Sequence, residues 1–252
     1  GLVAPMQAHR ILATKNFSMG RFDSFEKVSG EELAENYLIK NGNCHSCPMR
    51  CERRVRHNGK NVKGPELETL GLLGPNIMND DIAKIIQWNY ELDELGIDTI
   101  SCAGSIAFAM ELQEKGMWNC GLEFGKTDNL SEVFELIAKR EGIGDDLANG
   151  TRIMSEKFGG KEFAIHAKGM ELAAYEPRGA VGQGLGYATA NRGGCHLNAG
   201  YMVVLEGLGL NMNSYTAKGK AALSIMFQDV MEGASAAGFC VFTSYAVLPW
   251  FI

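Results

Sequence analysis

Three cysteines lie within eight residues of one another, in the run NCHSCPMRC, and they constrain the fold more than any other feature. Their spacing is C-x2-C-x3-C, at Cys44, Cys47 and Cys51. Cysteines this close do not suggest a disulfide framework, and seven cysteines in 252 residues favour a reducing, cytoplasmic setting. Three thiolates on one short loop can instead bind a single metal centre, with a fourth ligand from elsewhere in the chain.

The spacing favours one kind of metal centre. Zinc sites usually combine two C-x2-C pairs, and this chain has one. A 4Fe-4S cluster takes four thiolates. The pattern therefore predicts an iron-sulfur site ahead of a zinc site, and it leaves the fourth ligand open among Cys102, Cys120, Cys195 and Cys240.

The rest of the sequence has mainly helical patterns. Ser29 and Glu32 have capping-box spacing ahead of a helix expected to end near residues 41–42. An apolar helical pattern begins after Asp81 and stops at Gly96. The remaining predicted elements are helices at 103–115, 131–140, 145–158 and 217–231, and strands at 163–167 and 201–205.

A glycine-rich stretch over residues 168–200 interrupts these helical patterns. Glycine and proline turns of this kind often separate structural units. We therefore predict two domains, one of residues 1–170 that contains the cysteine loop and a second of residues 171–252.

Composition and charge exclude several classes of protein. With 46% hydrophobic residues the chain can bury a core. Its net charge of −6, with Lys and Arg scattered, argues against a nucleic-acid or anionic-membrane partner. No apolar run reaches the ~18 residues of a membrane-spanning helix. The start at Gly1 and the apolar ending VLPWFI are expected of a fragment.

Several motifs occur in an order that resembles one protein family. CHSCPMRC is followed by GPELETLG at 64–71, ELDELGIDTIS at 91–101 and EPRGAVGQGLGYATANRGGCH at 176–196. Together they resemble the aldehyde ferredoxin oxidoreductase family, whose members carry tungsten on two pterins beside a 4Fe-4S cluster. The resemblance implies a mainly α fold, made of the two helical domains of that family. The family also has a β-rich first domain, which holds the pterin phosphates and a bridging magnesium. This domain is expected before Gly1, outside this chain.

The resemblance also implies which residues bind the cofactors. Cys240, at the end of SAAGFC, becomes the fourth cluster ligand, and Ser235 stands where the family has a pterin-binding aspartate. A carboxylate such as Asp93 can accept two N–H bonds from the edge of a pterin ring. The residues implied to contact the pterins are Asp93, Gly96, Ile97, Asp98, Arg192, Gly238 and Phe239.

Two residues are implied to do the acid-base chemistry. The family places a glutamate and a histidine beside the tungsten, and these match Glu68 and His196. Glu66 is the alternative to Glu68, and because residues two apart point to different sides, at most one faces the metal. Cys102 is either a small buried residue or a tungsten ligand, as in the benzoyl-CoA reductase branch.

The implied reaction is oxidation of an aldehyde to a carboxylic acid. Electrons would pass through the 4Fe-4S cluster to ferredoxin or another redox subunit, in a homodimer or a hetero-oligomer. Tungsten and molybdenum stay alternatives, since both bind the same pterins. Two other functions fit the cysteine loop: a tungsten-dependent reductase of an aromatic acyl-CoA, and a non-catalytic iron-sulfur or zinc module.

Overall fold

The chain folds into a mainly helical structure, as the sequence predicts. The computed structural model describes residues 2–208 and 212–243. The helices in this part of the chain are α1 (Val3–Ala8), α2 (Gly30–Asn36), α3 (Leu67–Leu73), α4 (Ile82–Leu95), α5 (Thr99–Glu114), α6 (Leu130–Lys139), α7 (Ile143–Leu147), α8 (Gly150–Phe158), α9 (Val181–Thr189) and α10 (Lys220–Ala236). The strands are β1 (Leu38–Gly42), β2 (Glu52–His57), β3 (Lys60–Lys63), β4 (His166–Ala167) and β5 (Met170–Glu171).

Helix α5 lies at the centre of the core. Its residues from Cys102 to Leu112 are almost all buried, and α3, α8 and β5 pack around it. A helix that is apolar on all sides is stable only when it is surrounded in this way. The side chain of Asp98 caps its first turn, with Oδ2 accepting from Ser101 N at 2.7 Å. The helix therefore begins at Thr99, four residues before the predicted start at 103.

Helix α4 has both of the end signals that the sequence predicts. Asp81 Oδ1 accepts from the backbone N–H groups of Ala83 and Lys84, which satisfies two donors of the first turn. Gly96 has a φ of 70° and ends the helix in the left-handed conformation. No single helix of the described residues is long and apolar enough to cross a membrane; the bent pair α4 and α5, at 115°, has the length and composition.

The cysteine loop connects two strands of a sheet that the sequence did not predict. Ser29 caps α2 as expected, with Oγ accepting from Glu32 N at 3.1 Å. The helix nevertheless ends at Asn36, so the predicted extension to residues 41–42 is wrong. Residues 38–42 pair instead with β2, which pairs with β3 in an antiparallel sheet of order β1-β2-β3. This pairing covers Val55, which is fully buried.

The glycine-rich stretch contains a helix, α9, where an interruption was predicted. The buried carboxylate of Glu206 accepts from the N–H groups of Gly182 and Gln183, at 2.7 and 2.9 Å, and pairs with Lys220. These bonds satisfy orphan donors at the start of a helix. Glu206 itself lies in a π-helical turn, Val204–Leu208, so the strand predicted at 201–205 is wrong.

Two further boundaries differ from the prediction. The helix predicted at 145–158 is divided into α7 and α8, because Gly150 has a φ of 81°. Only two residues of the strand predicted at 163–167 pair, in the hairpin β4–β5. The domain boundary near residue 170 stays a prediction. Apolar residues from both sides of this boundary belong to one core cluster. The two sides approach closely, because a Cβ on Gly71 would lie 2.7 Å from the Cβ of Ala174.

Candidate active site and cysteine loop

The two predicted catalytic residues meet in the structure. Glu68 lies in the first turn of α3, and His196 lies in a turn after α9. Glu68 Oε1 is 3.2 Å from His196 Nε2, and the two side chains are 16% and 13% exposed. Gly194 makes the approach possible, because a Cβ there would lie 2.4 Å from the carbonyl oxygen of Met170. The hairpin β4–β5 therefore fixes the turn that carries His196.

Burial keeps His196 neutral near pH 7. Burial lowers the pKa of the imidazole; the Glu68 carboxylate opposes this effect, and the Arg192 charge adds to it. Arg192 donates from Nη1 to Asn198 Oδ1 at 3.1 Å. Its predicted contact with a pterin stays a prediction. A neutral imidazole beside a carboxylate can donate from Nε2 while the carboxylate remains able to accept a proton.

Two buried tyrosines that no sequence motif indicates lie against His196. The hydroxyls of Tyr175 and Tyr201 are 2.8 Å apart, and the His196 ring lies 5.6 and 5.4 Å from their ring centroids. Burial raises the pKa of Tyr201 to about 12, with the Glu68 charge adding to it. Both phenols therefore stay protonated. A buried aromatic residue has no distinguishing sequence signal, which is why neither was selected.

A cavity of about 710 Å³ connects the catalytic pair with the cysteine loop. Glu68, His196 and Tyr201 line one part of it, and Cys51 lines another. Apolar side chains from three separate segments complete the wall, among them Leu33, Leu70 and Val241.

The first pterin motif lines a second cavity, of about 270 Å³, on the other side of Glu68. Asp93, Ile97 and Asp98 border it together with Glu66 and Glu68. Because Asp98 Oδ2 already accepts from the first turn of α5, Asp93 is the more available carboxylate. Burial raises the pKa of Glu66 and the Glu68 charge adds to this, while Lys63 opposes it. Both glutamates border both cavities, so cavity position does not choose between them.

The second pterin motif lies just after α10. Gly238 has a φ of 78° and Phe239 is 60% exposed. Val241 and Phe242, directly beyond Cys240, line the larger cavity. The roles of Gly238 and Phe239 in binding a pterin stay predictions, as do those of Asp93, Gly96, Ile97 and Asp98.

Hydrogen bonds to backbone carbonyl oxygens shape the cysteine loop. Cys47 N donates to Cys44 O at 3.0 Å, and Asn43 Nδ2 donates to the carbonyl oxygens of both residues. Arg53 donates to Cys51 O at 2.6 Å. Cys44 and Cys51 are exposed residues and Cys47 is half-buried.

Val241, the residue after the fourth predicted ligand Cys240, lines the same cavity as Cys51. Partial burial and the Glu66 charge raise the pKa of Cys51, and the charges of Cys240 and Cys44 also contribute. Among residues 2–208 and 212–243, no three Cys, His, Asp or Glu side chains are close enough to hold one metal ion. Four cysteine thiols are nevertheless the donor set that a 4Fe-4S cluster takes. The assignment of Cys44, Cys47, Cys51 and Cys240 to such a cluster stays a prediction.

Cys102 has the environment of a core residue. It is 5% exposed in the first turn of α5, and burial raises its pKa to about 12, with Asp98 and Glu171 contributing. The surrounding protein therefore favours a neutral thiol. The structure supports the reading of Cys102 as a small buried residue.

A family model places this chain among known proteins. The model described as aldehyde ferredoxin oxidoreductase, domains 2 and 3, matches residues 1–250. The chain belongs to the aldehyde ferredoxin oxidoreductase family. The predicted resemblance and the predicted fold class are thereby confirmed.

Individual relatives agree with this assignment. A tungsten-containing aldehyde ferredoxin oxidoreductase from Pyrococcus horikoshii is 42% identical over 98% of this chain, and one from Pyrococcus furiosus is 41% identical over the same share. The chain spans 42% of the length of these curated relatives. A solved structure described as the active site complex BamBC of benzoyl coenzyme A reductase shares the fold over 67% of this chain and 27% of its own, with a TM-score of 0.56 and 24% identity.

Proposed function

We propose that this chain forms part of a tungsten-pterin oxidoreductase that oxidises an aldehyde to a carboxylic acid and passes the electrons to ferredoxin. The contact between Glu68 and His196 at 3.2 Å carries the proposal. It brings together the two residues that the family motifs select for acid-base work. The names of the relatives from both Pyrococcus species support the metal and the substrate class.

The cofactors would divide the redox chemistry between them. Tungsten, or molybdenum on the same pterins, would accept the two electrons that leave the aldehyde carbon, and the 4Fe-4S cluster would pass them on singly. Asp93 and Asp98 would bind the edge of one pterin, and Arg192 would neutralise charge nearby. Cys44, Cys47, Cys51 and Cys240 would hold the cluster. Magnesium between the pterin phosphates would have its ligands outside these residues.

The chain's own residues would handle the protons. Water must lose a proton as it adds to the carbonyl carbon, and Glu68 Oε2 is the acceptor. His196 Nε2 lies 3.2 Å from Glu68 Oε1, and a neutral imidazole that donated there would orient the carboxylate without the charge of an imidazolium. The apolar residues Leu33 and Leu70 line the cavity and limit solvent near the reacting carbon.

An assay of the full-length protein tests this function. Anaerobically purified protein should reduce benzyl viologen when simple aldehydes supply the electrons. It should reduce ferredoxin with the same aldehydes more efficiently than it reduces the dye. Reduction of an aromatic acyl-CoA without aldehyde oxidation would replace the proposal with the reductase alternative. The aromatic acyl-CoA reductase would need the Cys102 thiol as a metal ligand. The burial of Cys102 does not favour that role. The cytoplasmic location and the oligomeric state stay predictions.

A further inference from the structure

The sheet that carries the cysteine loop has a charge opposite to that of the whole chain. Residues 40–63 contain seven Lys or Arg and one Glu, a net charge of +6, whereas the complete chain has −6. The rest of the chain therefore has a net charge of −12. The expectation that Lys and Arg are scattered is wrong for this segment.

The strand register gathers these charges on one face of the sheet. Lys40 lies directly opposite Arg54, and Arg54 lies directly opposite Lys63. Arg56, two residues along β2, points to the same face, while the other face buries two valines. We call Lys40, Arg54, Arg56 and Lys63 the basic face. Like charges directly opposite each other repel, and the single acid of the segment, Glu52, pairs with Arg54 at 2.9 Å.

Two exposed apolar side chains lie close to the basic face in sequence. Met49 in the cysteine loop is 47% exposed, and Ile39 on β1 is 41% exposed. Protein interfaces typically combine an apolar centre, often with Met, and a polar or charged rim. Cys44 and Cys51, which are exposed residues, lie in the same loop as Met49. The surface nearest the predicted cluster thus has the composition of an interface for an acidic protein.

We propose that the basic face docks an acidic protein that carries one electron at a time. This inference rests on the proposed function, because that function supplies the cluster and the electrons. For each aldehyde oxidised with water to a carboxylic acid and two protons, two oxidised carriers dock in turn and each leaves with one electron. Electron-transfer complexes have small interfaces, so a single sheet face is large enough.

The charge distribution favours a small protein over a nucleic acid. A nucleic acid would extend past the basic face and meet the remainder of the chain, whose charge is −12. A compact acidic carrier can contact the basic face alone. Opposite charges at the rim of such a contact mainly speed association and make it sensitive to salt.

Binding measurements on the full-length protein test the docking directly. The variant K40Q/R56Q removes two exposed charges that line neither cavity, and K161Q removes one from a turn that packs on α8. The probe is a purified ferredoxin of net negative charge, titrated by calorimetry at low ionic strength. K40Q/R56Q should raise the Kd for ferredoxin about 2- to 25-fold, because it removes two surface charge pairs that each contribute an ordinary amount. K161Q and the charge-conserving K40R/R56K should leave the Kd unchanged.

Three results would overturn the docking site: no ferredoxin binding by the wild type, a Kd unaffected by K40Q/R56Q, or an equal effect of K161Q. Tighter binding of a DNA duplex through the same two residues would also overturn it, in favour of a nucleic acid. Aldehyde-dependent reduction of viologen should be the same in all variants. If the wild type lacked this turnover but kept variant-sensitive ferredoxin binding, the proposed function would fail and the docking site would stand.

Discussion

Replacing Glu68 with Gln tests the assignment of the proton acceptor. Gln has nearly the same shape, and its amide oxygen can take the position of Oε1, 3.2 Å from His196 Nε2. The variant therefore removes the basic oxygen while it keeps the geometry of the pair. Loss of a positioned general base lowers turnover by about 10²- to 10⁴-fold. That range corresponds to a barrier about 2.7 to 5.4 kcal/mol higher.

The structure supplies a second readout and a matched control. The Glu68 charge raises the pKa of His196 against the effect of burial, so E68Q should lower that pKa further. A pH titration of the imidazole by NMR measures the shift. E66Q removes a carboxylate two residues away that borders the same cavities, and it should reduce turnover by less than about tenfold.

Aldehyde-dependent viologen reduction at several pH values shows which of the two glutamates accepts the proton. The absorbance of the cluster checks that each variant contains it. If E68Q kept turnover within about tenfold of the wild type while E66Q lost it, the two glutamates would exchange roles. If both variants kept wild-type turnover, neither carboxylate would be the proton acceptor.

Three further predictions concern the support of this site. Tyr201→Phe leaves the buried hydroxyl of Tyr175 without its 2.8 Å partner and should cost about 1–3 kcal/mol in denaturant unfolding. Because burial lowers the pKa of His196 below that of the unfolded chain, stability should fall as pH drops through about 6.5, and H196Q should reduce this dependence. Gly71→Ala places a Cβ 2.7 Å from the Cβ of Ala174 and should lower the free energy of unfolding by about 1–3 kcal/mol. Gly233→Ala places its Cβ where no other atom lies within 4 Å, and it should not destabilise the protein.

Local signals predicted the ends of helices better than the course of the chain between them. Asp81 and Gly96 mark the limits of α4 because capping depends on neighbouring backbone groups. The sheet β1–β3 was missed because its strands contain few apolar residues, and residues 38–42 follow directly on the helical pattern of α2. Its assignment depends on pairing with β2, which no local pattern shows.

The site shows the same division between local and distant information. Spacing alone selected three clustered cysteines, while the choice of Glu68, His196 and Cys240 depended on family motifs. The meeting of Glu68 with His196 depends on the packing of α3 against the turn after α9, so only the folded chain reveals it. The run YMVVL at 201–205 has strand composition but forms turns, because Glu206 is held at the start of α9.

Metal analysis of the anaerobically purified full-length protein tests whether the cysteine loop and Cys240 hold an iron-sulfur cluster beside a pterin-bound metal. We expect tungsten or molybdenum together with about four irons per chain. The variant C240S should lose iron, while C120S, which removes a buried thiol bonded to Ala109 O, should keep it. Zinc as the sole bound metal, with wild-type zinc content in C240S, would contradict the presence of this cluster.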